Sequence, residues 1–195
     1  MKSETIDLEI LKRIPIFQGF TDDECRQLAD LSTITEFQPA DIVVHQGQTS
    51  QDLWIVLEGC CEVIKQLDGK KSGGDGKKSD TDGKKAKAEP LELAVLEPYS
   101  SFGEMSFFHP AEHSASVRAK TAVRLLCLPR RRFDALVERH ASAACKLACN
   151  TVVGLSQRMR AMNEWVADLE GRKPTGKIGA EWSELRKKVF DGWQL

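Results

Sequence analysis

Short apolar runs separated by turn-forming residues occupy the middle of the chain, and they constrain its fold more than any other feature. The runs are DIVVHQGQ, DLWIVLEGCCEVIKQL, LELAVLEP, SASVRAKT and AVRLLCLP, between residues 41 and 129. β-Branched and apolar residues dominate these runs, and Gly, Pro, Asp and Ser separate them. Several short strands with such punctuation predict a β-sandwich or jelly roll.

Helices are predicted on both sides of these strands. Residues 5–35 have a helical pattern, in which TDDECRQLADL begins with Thr21 as N-cap and Glu24 as its capping-box partner. RRFDALVERH predicts a short helix, and a long helix follows from about residue 141 to residue 169. We therefore expect an α+β chain, mainly β with flanking helices, that has a β-roll domain over residues 1–140, a long helix over residues 141–170, and a linker with a short docking helix over residues 171–195.

An apolar stripe runs along the predicted long helix at alternating spacings of three and four residues. Its members are Cys145, Ala148, Val152, Leu155, Met159, Met162, Val166 and Leu169. A seam this narrow is typical of a helix pair between two subunits, so the sequence predicts a homodimer held together by residues 145–169. The alternative is that the stripe packs against the protein's own sheet.

A polar insertion separates two of the predicted strands. Residues 66–90 contain the tetrapeptide DGKK three times, and a composition of this kind predicts a flexible loop between paired strands. Part of an EF-hand calcium pattern is also present, at Asp80, Asp82, Gly83 and Glu89. The first ligand position of that pattern is Lys78 and the flanks resemble strands, so the sequence favours a solvated loop over a calcium site.

Composition argues against several functions. The formal net charge of -1 gives no global attraction to nucleic acid or to an anionic membrane. No apolar run approaches the ~18 residues of a membrane span, and the N-terminus lacks the apolar segment of a secretory signal. Six cysteines without a CxxC motif indicate a reducing compartment. The sequence therefore predicts a cytoplasmic protein, and no nucleophile–base pair indicates an enzyme.

The stretch FGEMSFFHPAEHSASVRA, residues 102–119, has the pattern of an anion-binding elbow. A Gly-Glu turn precedes a short apolar helix, and Ser114, Ala115 and Ser116 are small enough to leave backbone N–H groups accessible. Accessible N–H groups and a helix start favour phosphate. A phosphate cradle normally also carries a fixed cation, and the position expected for that cation holds His113.

The order of the elements, together with the motifs GQTSQDLWIVLEG and FGEM, resembles the cyclic nucleotide-binding domain family. The resemblance extends from Leu11 to Leu169 and is interrupted by the insertion. It implies a jelly-roll or β-roll with N-terminal helices and a long C-terminal helix. It also implies cAMP or cGMP as the possible ligand, with no further cofactor.

The resemblance places the ligand site at the elbow, with candidate contacts from Phe102, Gly103, Glu104, His113, Ser114 and Ala115, and from Asn163 on the long helix. In the family, the residue matching Glu104 accepts a hydrogen bond from the ribose, and the backbone matching Ser114 and Ala115 donates to the cyclic phosphate. His113 replaces the arginine of the family and, at its unperturbed pKa of about 6.5, is mostly neutral at pH 7. We therefore expect weak binding, which strengthens as the pH falls if His113 contacts the phosphate.

Three hypotheses follow from these features. The first is a stand-alone regulatory sensor that signals to an unknown partner protein, with no DNA-binding domain, because only about two dozen residues follow the long helix. The second is a dimeric scaffold that has lost its ligand. The third is a metal site at His109 and His113 with Glu104 and Glu112 nearby, although no further ligand has diagnostic spacing.

Overall fold

The computed structural model describes residues 6–66, 90–139 and 141–171. The chain divides into two compact units, Met1–Thr151 and Val152–Leu195. The first unit contains every described strand and the elbow. Most of the predicted insertion, and the predicted linker and docking helix, lie outside the described residues.

Two short helices begin the first unit. They are α1, Leu8–Arg13, and α2, Asp22–Leu31, with a 3-10 turn at Pro15–Phe17 between them. The capping box predicted at the start of α2 is confirmed, because Thr21 Oγ1 accepts from the Glu24 N–H and the Glu24 carboxylate accepts from the Thr21 N–H. The helical prediction is wrong over residues 33–35, which belong to a strand, because the β-branched sequence Thr-Ile-Thr suits a pleated, half-buried surface.

In the described part of the chain, eight strands form two four-stranded antiparallel sheets. Their bounds are β1 Thr33–Phe37, β2 Ile42–Val44, β3 Asp52–Glu58, β4 Cys61–Lys65, β5 Leu91–Leu96, β6 Ser101–Phe102, β7 Ser116–Ala119 and β8 Val123–Pro129. One sheet has the order β1-β8-β3-β6, and the other has the order β2-β7-β4-β5. This arrangement confirms the predicted β-roll with flanking helices.

The two faces of β3 contribute to two apolar clusters. Leu53 and Ile55 are fully buried in the cluster that also contains the N-terminal helices. Val56 is buried in the second cluster, together with Val117 of the other sheet, and Trp54 packs against this cluster. Successive side chains of a strand point to opposite faces, so β3 lies between the helical layer and the interior of the roll.

Three further helices complete the described structure. They are α3, Glu104–Phe108, α4, Arg130–Arg139, and α5, Ala141–Gly171. They confirm the short helix predicted in the elbow and the short and long helices predicted after the last strand. Among the described residues, no helix, α5 included, combines the length and apolarity needed to cross a bilayer.

The start of α5 is held within the first unit by apolar and polar contacts. Leu147 is fully buried in the helical-side cluster. Lys146 Nζ donates to the Gly19 carbonyl at 2.9 Å and to the Glu24 carboxylate at 2.7 Å. Asn150 Nδ2 donates to the carbonyl of Ile16 at 3.0 Å. These bonds fix one face of the helix start against the N-terminal helices.

The stripe predicted for dimerisation contains several exposed members. In the first unit Cys145 is exposed, although Leu147 nearby is fully buried. In the second unit Val152, Met159 and Met162 have exposed fractions of 61%, 41% and 53%. An exposed apolar stripe is what a seam between two subunits requires. The homodimer stays a prediction.

Candidate functional site

The elbow begins with a turn that only glycine fits. Gly103 follows β6 with a φ of +82°, in the left-handed region that side chains disfavour. A Cβ at this position would also lie 2.5 Å from the carbonyl oxygen of Asp52. The close approach to β3 and the positive φ together fix the direction in which α3 leaves the sheet.

The first helical residue after this turn is Glu104, which is buried. One turn later the fully buried ring of Phe107 packs against Phe108 and Phe133. The Arg130 guanidinium donates to the Phe107 carbonyl at 2.6 Å and lies over the Phe107 ring. Because α3 is anchored in this way, the position of the Glu104 carboxyl group depends on the core rather than on a loose loop.

The small residues of the elbow present backbone donors. Ser114 is exposed and Ala115 is half-buried. Within the described ranges, no protein acceptor takes a hydrogen bond from the backbone N–H of either residue. Ser116 Oγ accepts from the Gln46 N–H at 2.9 Å, which ties this segment to the turn after β2. Two successive open N–H groups on a fixed turn are suited to an anionic or carbonyl oxygen.

His113 does not extend toward this cradle as an open cation. Its side chain is buried, with Nε2 2.8 Å from Ser50 Oγ and Nδ1 3.1 Å from Ser106 Oγ. Burial lowers the pKa of His113 below its ordinary value, and the Asp52 carboxylate opposes this shift only in part. The imidazole is therefore neutral at pH 7, and serine hydroxyls occupy both ring nitrogens.

Arg118 is the first arginine after His113 in sequence, and its side chain has another partner. Its Nε donates to Glu62 Oε1 at 2.6 Å, across the paired strands β7 and β4. This hydrogen bond holds the pKa of Glu62 below its usual value. Arg118 therefore serves the sheet, as expected for a side chain of the strand after the elbow, and the predicted contact between His113 and a phosphate stays a prediction.

An aromatic group lies beside the Gly103 turn. The rings of Trp54 and Phe102 are stacked, with centroids 6.3 Å apart and an interplanar angle of 9°, and Phe37 meets Trp54 edge-on. Trp54 Cδ1 would lie 3.5 Å from a Cβ at Gly103. The indole N–H of Trp54 is buried and has no acceptor in the described part of the chain. Buried donors normally have partners, so Trp54 is a candidate ligand contact.

Sequence reasoning did not assign roles to Ser50, Asp52, Trp54 or Ser106. Ser106 lies two residues after Glu104, and Ser50 lies within the quoted GQTSQDLWIVLEG motif, so both were visible as hydroxyl residues near the elbow. Their bonds to His113 were not predictable from local pattern, because Ser50 and His113 are 63 positions apart.

The structure does not bring the remaining predicted site residues together in one group. Asn163 is exposed on α5, in the second unit, and its predicted contact with a base stays a prediction. His109 is exposed, whereas His113 is buried and bonded to serines. Within the described ranges, no three His, Cys, Asp or Glu side chains form a group that could hold a metal ion.

Comparison with known families identifies the chain. The sequence profile described as cyclic nucleotide-binding domain matches residues 34–140, more than half of the 195 residues. The chain belongs to the cyclic nucleotide-binding domain family. The matched segment begins in β1 and includes both sheets, the elbow and α4. The match indicates no enzyme family.

Relatives of this cyclic nucleotide-binding domain include channels and transcriptional regulators. It is 22% identical to potassium channel SKOR of Arabidopsis thaliana, in a match covering 81% of this chain and 17% of the channel. It is 24% identical to a CRP-like cAMP-activated global transcriptional regulator of Mycobacterium tuberculosis, over 92% of this chain and 70% of the regulator. The chain therefore spans less than a fifth of the channel and most of the regulator.

Solved structures show the same fold. A cyclic nucleotide-binding domain from Methylobacillus flagellatus superposes with a TM-score of 0.67 at 20% identity, covering 87% of this chain and 83% of that one. The regulatory subunit of a cAMP-independent protein kinase A from Trypanosoma cruzi, bound to guanosine, has a TM-score of 0.52 at 25% identity. That match covers 80% of this chain and 50% of the subunit.

Proposed function

We propose that this chain is a regulatory sensor module that binds a cyclic nucleotide weakly at the elbow and signals to a partner protein in the cytoplasm. One observation carries the proposal. The elbow keeps a fixed Gly103 turn, a buried Glu104 and the open N–H groups of Ser114 and Ala115, but its cation position holds a neutral, internally bonded His113. Donors and an acceptor for a sugar phosphate are therefore present, without the salt link to the phosphate.

The missing salt link sets the expected affinity. A hydrogen bond to a charged group contributes about 1.5–3 kcal/mol, and about 1.4 kcal/mol corresponds to a factor of ten in affinity. We therefore expect cAMP and cGMP to bind at least about tenfold more weakly than they bind an elbow with the arginine. Burial lowers the pKa of His113 from its ordinary value, so any gain in affinity from protonating it shifts to lower pH.

An uncharged nucleoside is a second candidate ligand. The guanosine-bound regulatory subunit from Trypanosoma cruzi is 25% identical to this chain, and it belongs to a kinase described as cAMP-independent. A nucleoside presents ribose hydroxyls to Glu104 but no phosphate, so it has no need of a cation. The neutral His113 makes this ligand chemistry compatible with the elbow.

Dimerisation through residues 145–169 is part of the proposal, because exposed members of the stripe lie along α5 in both compact units. A homodimer would cover apolar side chains that otherwise face water, and burial of apolar area drives such association. The rival function is a dimeric scaffold without a ligand. The scaffold would form the same homodimer as the sensor, so ligand titration is the measurement that distinguishes the scaffold from the sensor.

Calorimetry with cAMP, cGMP and guanosine tests the proposal on wild type, on His113→Arg and on the double variant that adds Glu104→Ala to His113→Arg. We expect weak binding to wild type, which strengthens as the pH falls from about 8 to about 6 only if a protonated His113 contacts the phosphate. His113→Arg should tighten cyclic nucleotide binding by about tenfold or more, because it restores a permanent charge. The same substitution should not tighten guanosine binding, which makes guanosine the matched control.

The second variant tests the ribose acceptor. Adding Glu104→Ala to His113→Arg should abolish the gain, because the hydroxyl acceptor is removed. If neither wild type nor His113→Arg binds any of the three ligands, the scaffold function replaces the sensor. If wild type binds cyclic nucleotides as tightly as His113→Arg does, another cation serves the phosphate and the proposed weakness is refuted.

A further inference from the structure

His113 connects three segments that meet at the elbow. Its ring links Ser50, in the turn before β3, to Ser106 on α3. Its backbone N–H donates to the Gln48 carbonyl at 2.9 Å, and its carbonyl accepts from the Gly47 N–H at 2.9 Å. Two side-chain bonds and two backbone bonds therefore join the turn at residues 45–51, the short helix and the elbow loop.

We propose that His113 is a positioning residue, a neutral clamp that holds the elbow in shape before any ligand binds. This inference rests on the proposed function, in which the elbow is the ligand site. In this arrangement the protein's own hydrogen bonds order the elbow, and no bound phosphate is required. A preorganised site loses less conformational freedom when it binds.

The chemistry of the two serines explains why the ring stays neutral. A hydroxyl both donates and accepts, so one serine accepts from the protonated ring nitrogen while the other donates to the bare nitrogen. Every polar atom of the imidazole is then satisfied without a charge. Protonation would place a cation at a site with 8% exposure. The charged groups that bear on the ring are the Asp52 carboxylate at the start of β3 and, through Asp52, Arg131 on α4.

The clamp also selects among ligands. A phosphate can bond to the His113 ring only if the ring gives up Ser50 or Ser106, which leaves a serine hydroxyl without its partner. Buried polar groups left without partners are costly. The clamp therefore disfavours bonding of an anion through His113, and it leaves the N–H groups of Ser114 and Ala115 as the available donors.

Hydrogen exchange of the ligand-free chain tests the clamp. His113→Phe keeps a ring of similar size and removes both nitrogens. We expect the hydrogen-bonded backbone amides of Gln46, Gly47 and His113 to exchange about ten- to a hundredfold faster, as the loss of two hydrogen bonds implies. Amides of β3 and β8 should keep their rates. The exposed His109 provides a matched control, His109→Phe, which should change nothing.

Two milder variants keep the test decisive if His113→Phe unfolds. Ser50→Ala and Ser106→Ala each remove one bond, and each should raise exchange in the elbow alone. His113→Gln, whose amide can bond one serine, should restore part of the protection that His113→Phe loses. Unchanged elbow exchange in both serine variants, or an equal rise throughout the roll, overturns the clamp.

Nitrogen NMR of the histidine rings gives a readout that a purely structural role would not move. In wild type, His113 should remain neutral in one tautomer as the pH falls to the ordinary histidine pKa of about 6.5. Ser106→Ala should change the tautomer or raise the protonated fraction of His113. If His113 is protonated at or above that ordinary pKa, the clamp is refuted. These measurements use the ligand-free chain, so they test the clamp even if the chain binds no nucleotide.

Discussion

Replacing Glu24 by glutamine removes a charge that joins the N-terminal helices to the start of α5. The carboxylate accepts from Lys146 Nζ at 2.7 Å, from the Thr21 N–H at 2.8 Å and from Ser142 Oγ at 2.9 Å. The Lys146 bond, followed by the Thr21 bond, lowers the pKa of Glu24 from 4.5 to about 2. Glutamine keeps the size and the capping oxygen but carries no charge.

The magnitude follows from that shift. A change from 4.5 to about 2 corresponds to at most ~3 kcal/mol of stability at neutral pH. The Lys146 side chain is 35% exposed, so solvent screening reduces the expected loss to about 1–2 kcal/mol. For a chain of this size, that loss lowers the melting temperature by about 2–8 °C.

The pH dependence of the unfolding free energy distinguishes the loss of the Glu24 charge from a change in side-chain shape. A carboxyl group with a lowered folded pKa stabilises the fold above the unfolded pKa, and that contribution is lost as the pH falls from 4.5 toward about 2. Urea unfolding followed by circular dichroism at pH 7 and pH 3 should show the gap between wild type and Glu24→Gln shrinking to under about half at pH 3. Asp30→Asn, at an exposed position of the same helix, should change stability by only a few tenths of a kcal/mol. An equal gap at both pH values refutes the electrostatic account.

Three further predictions use other parts of the fold. Leu155→Glu should convert a dimer into a monomer in sedimentation velocity, and a monomeric wild type at micromolar concentration would exclude the predicted seam. Gly59→Ala should cost more than Gly19→Ala in urea midpoint, because both have positive φ but only a Cβ at Gly59 would clash with the Ala122 carbonyl oxygen. Phe107→Ala should cost about 3–5 kcal/mol of unfolding free energy, and a loss below 1 kcal/mol would contradict its place in the core.

The sequence predicted those parts of the structure that depend on neighbouring residues. Thr21 and Glu24 are three positions apart, so their capping box was visible as a pattern. The turn at Gly103 was also predictable, since Gly-Glu and the small residues after it lie within one short stretch. The end of the first helical segment was misassigned at Thr33, because pairing with Cys127 of β8 decides its conformation. The partners of His113 likewise depend on the fold, since Ser50 and Ser106 approach it only in three dimensions.

Arg130, the first residue of α4, joins that helix to α3 by a hydrogen bond. Its backbone N–H donates to the Gln51 carbonyl at 2.9 Å, its Nε donates to Asp134 at 2.8 Å, and its Nη1 donates to the Phe107 carbonyl at 2.6 Å. Sliding the two helices apart would break a charged hydrogen bond and separate packed rings, so α3 and α4 are expected to shift together.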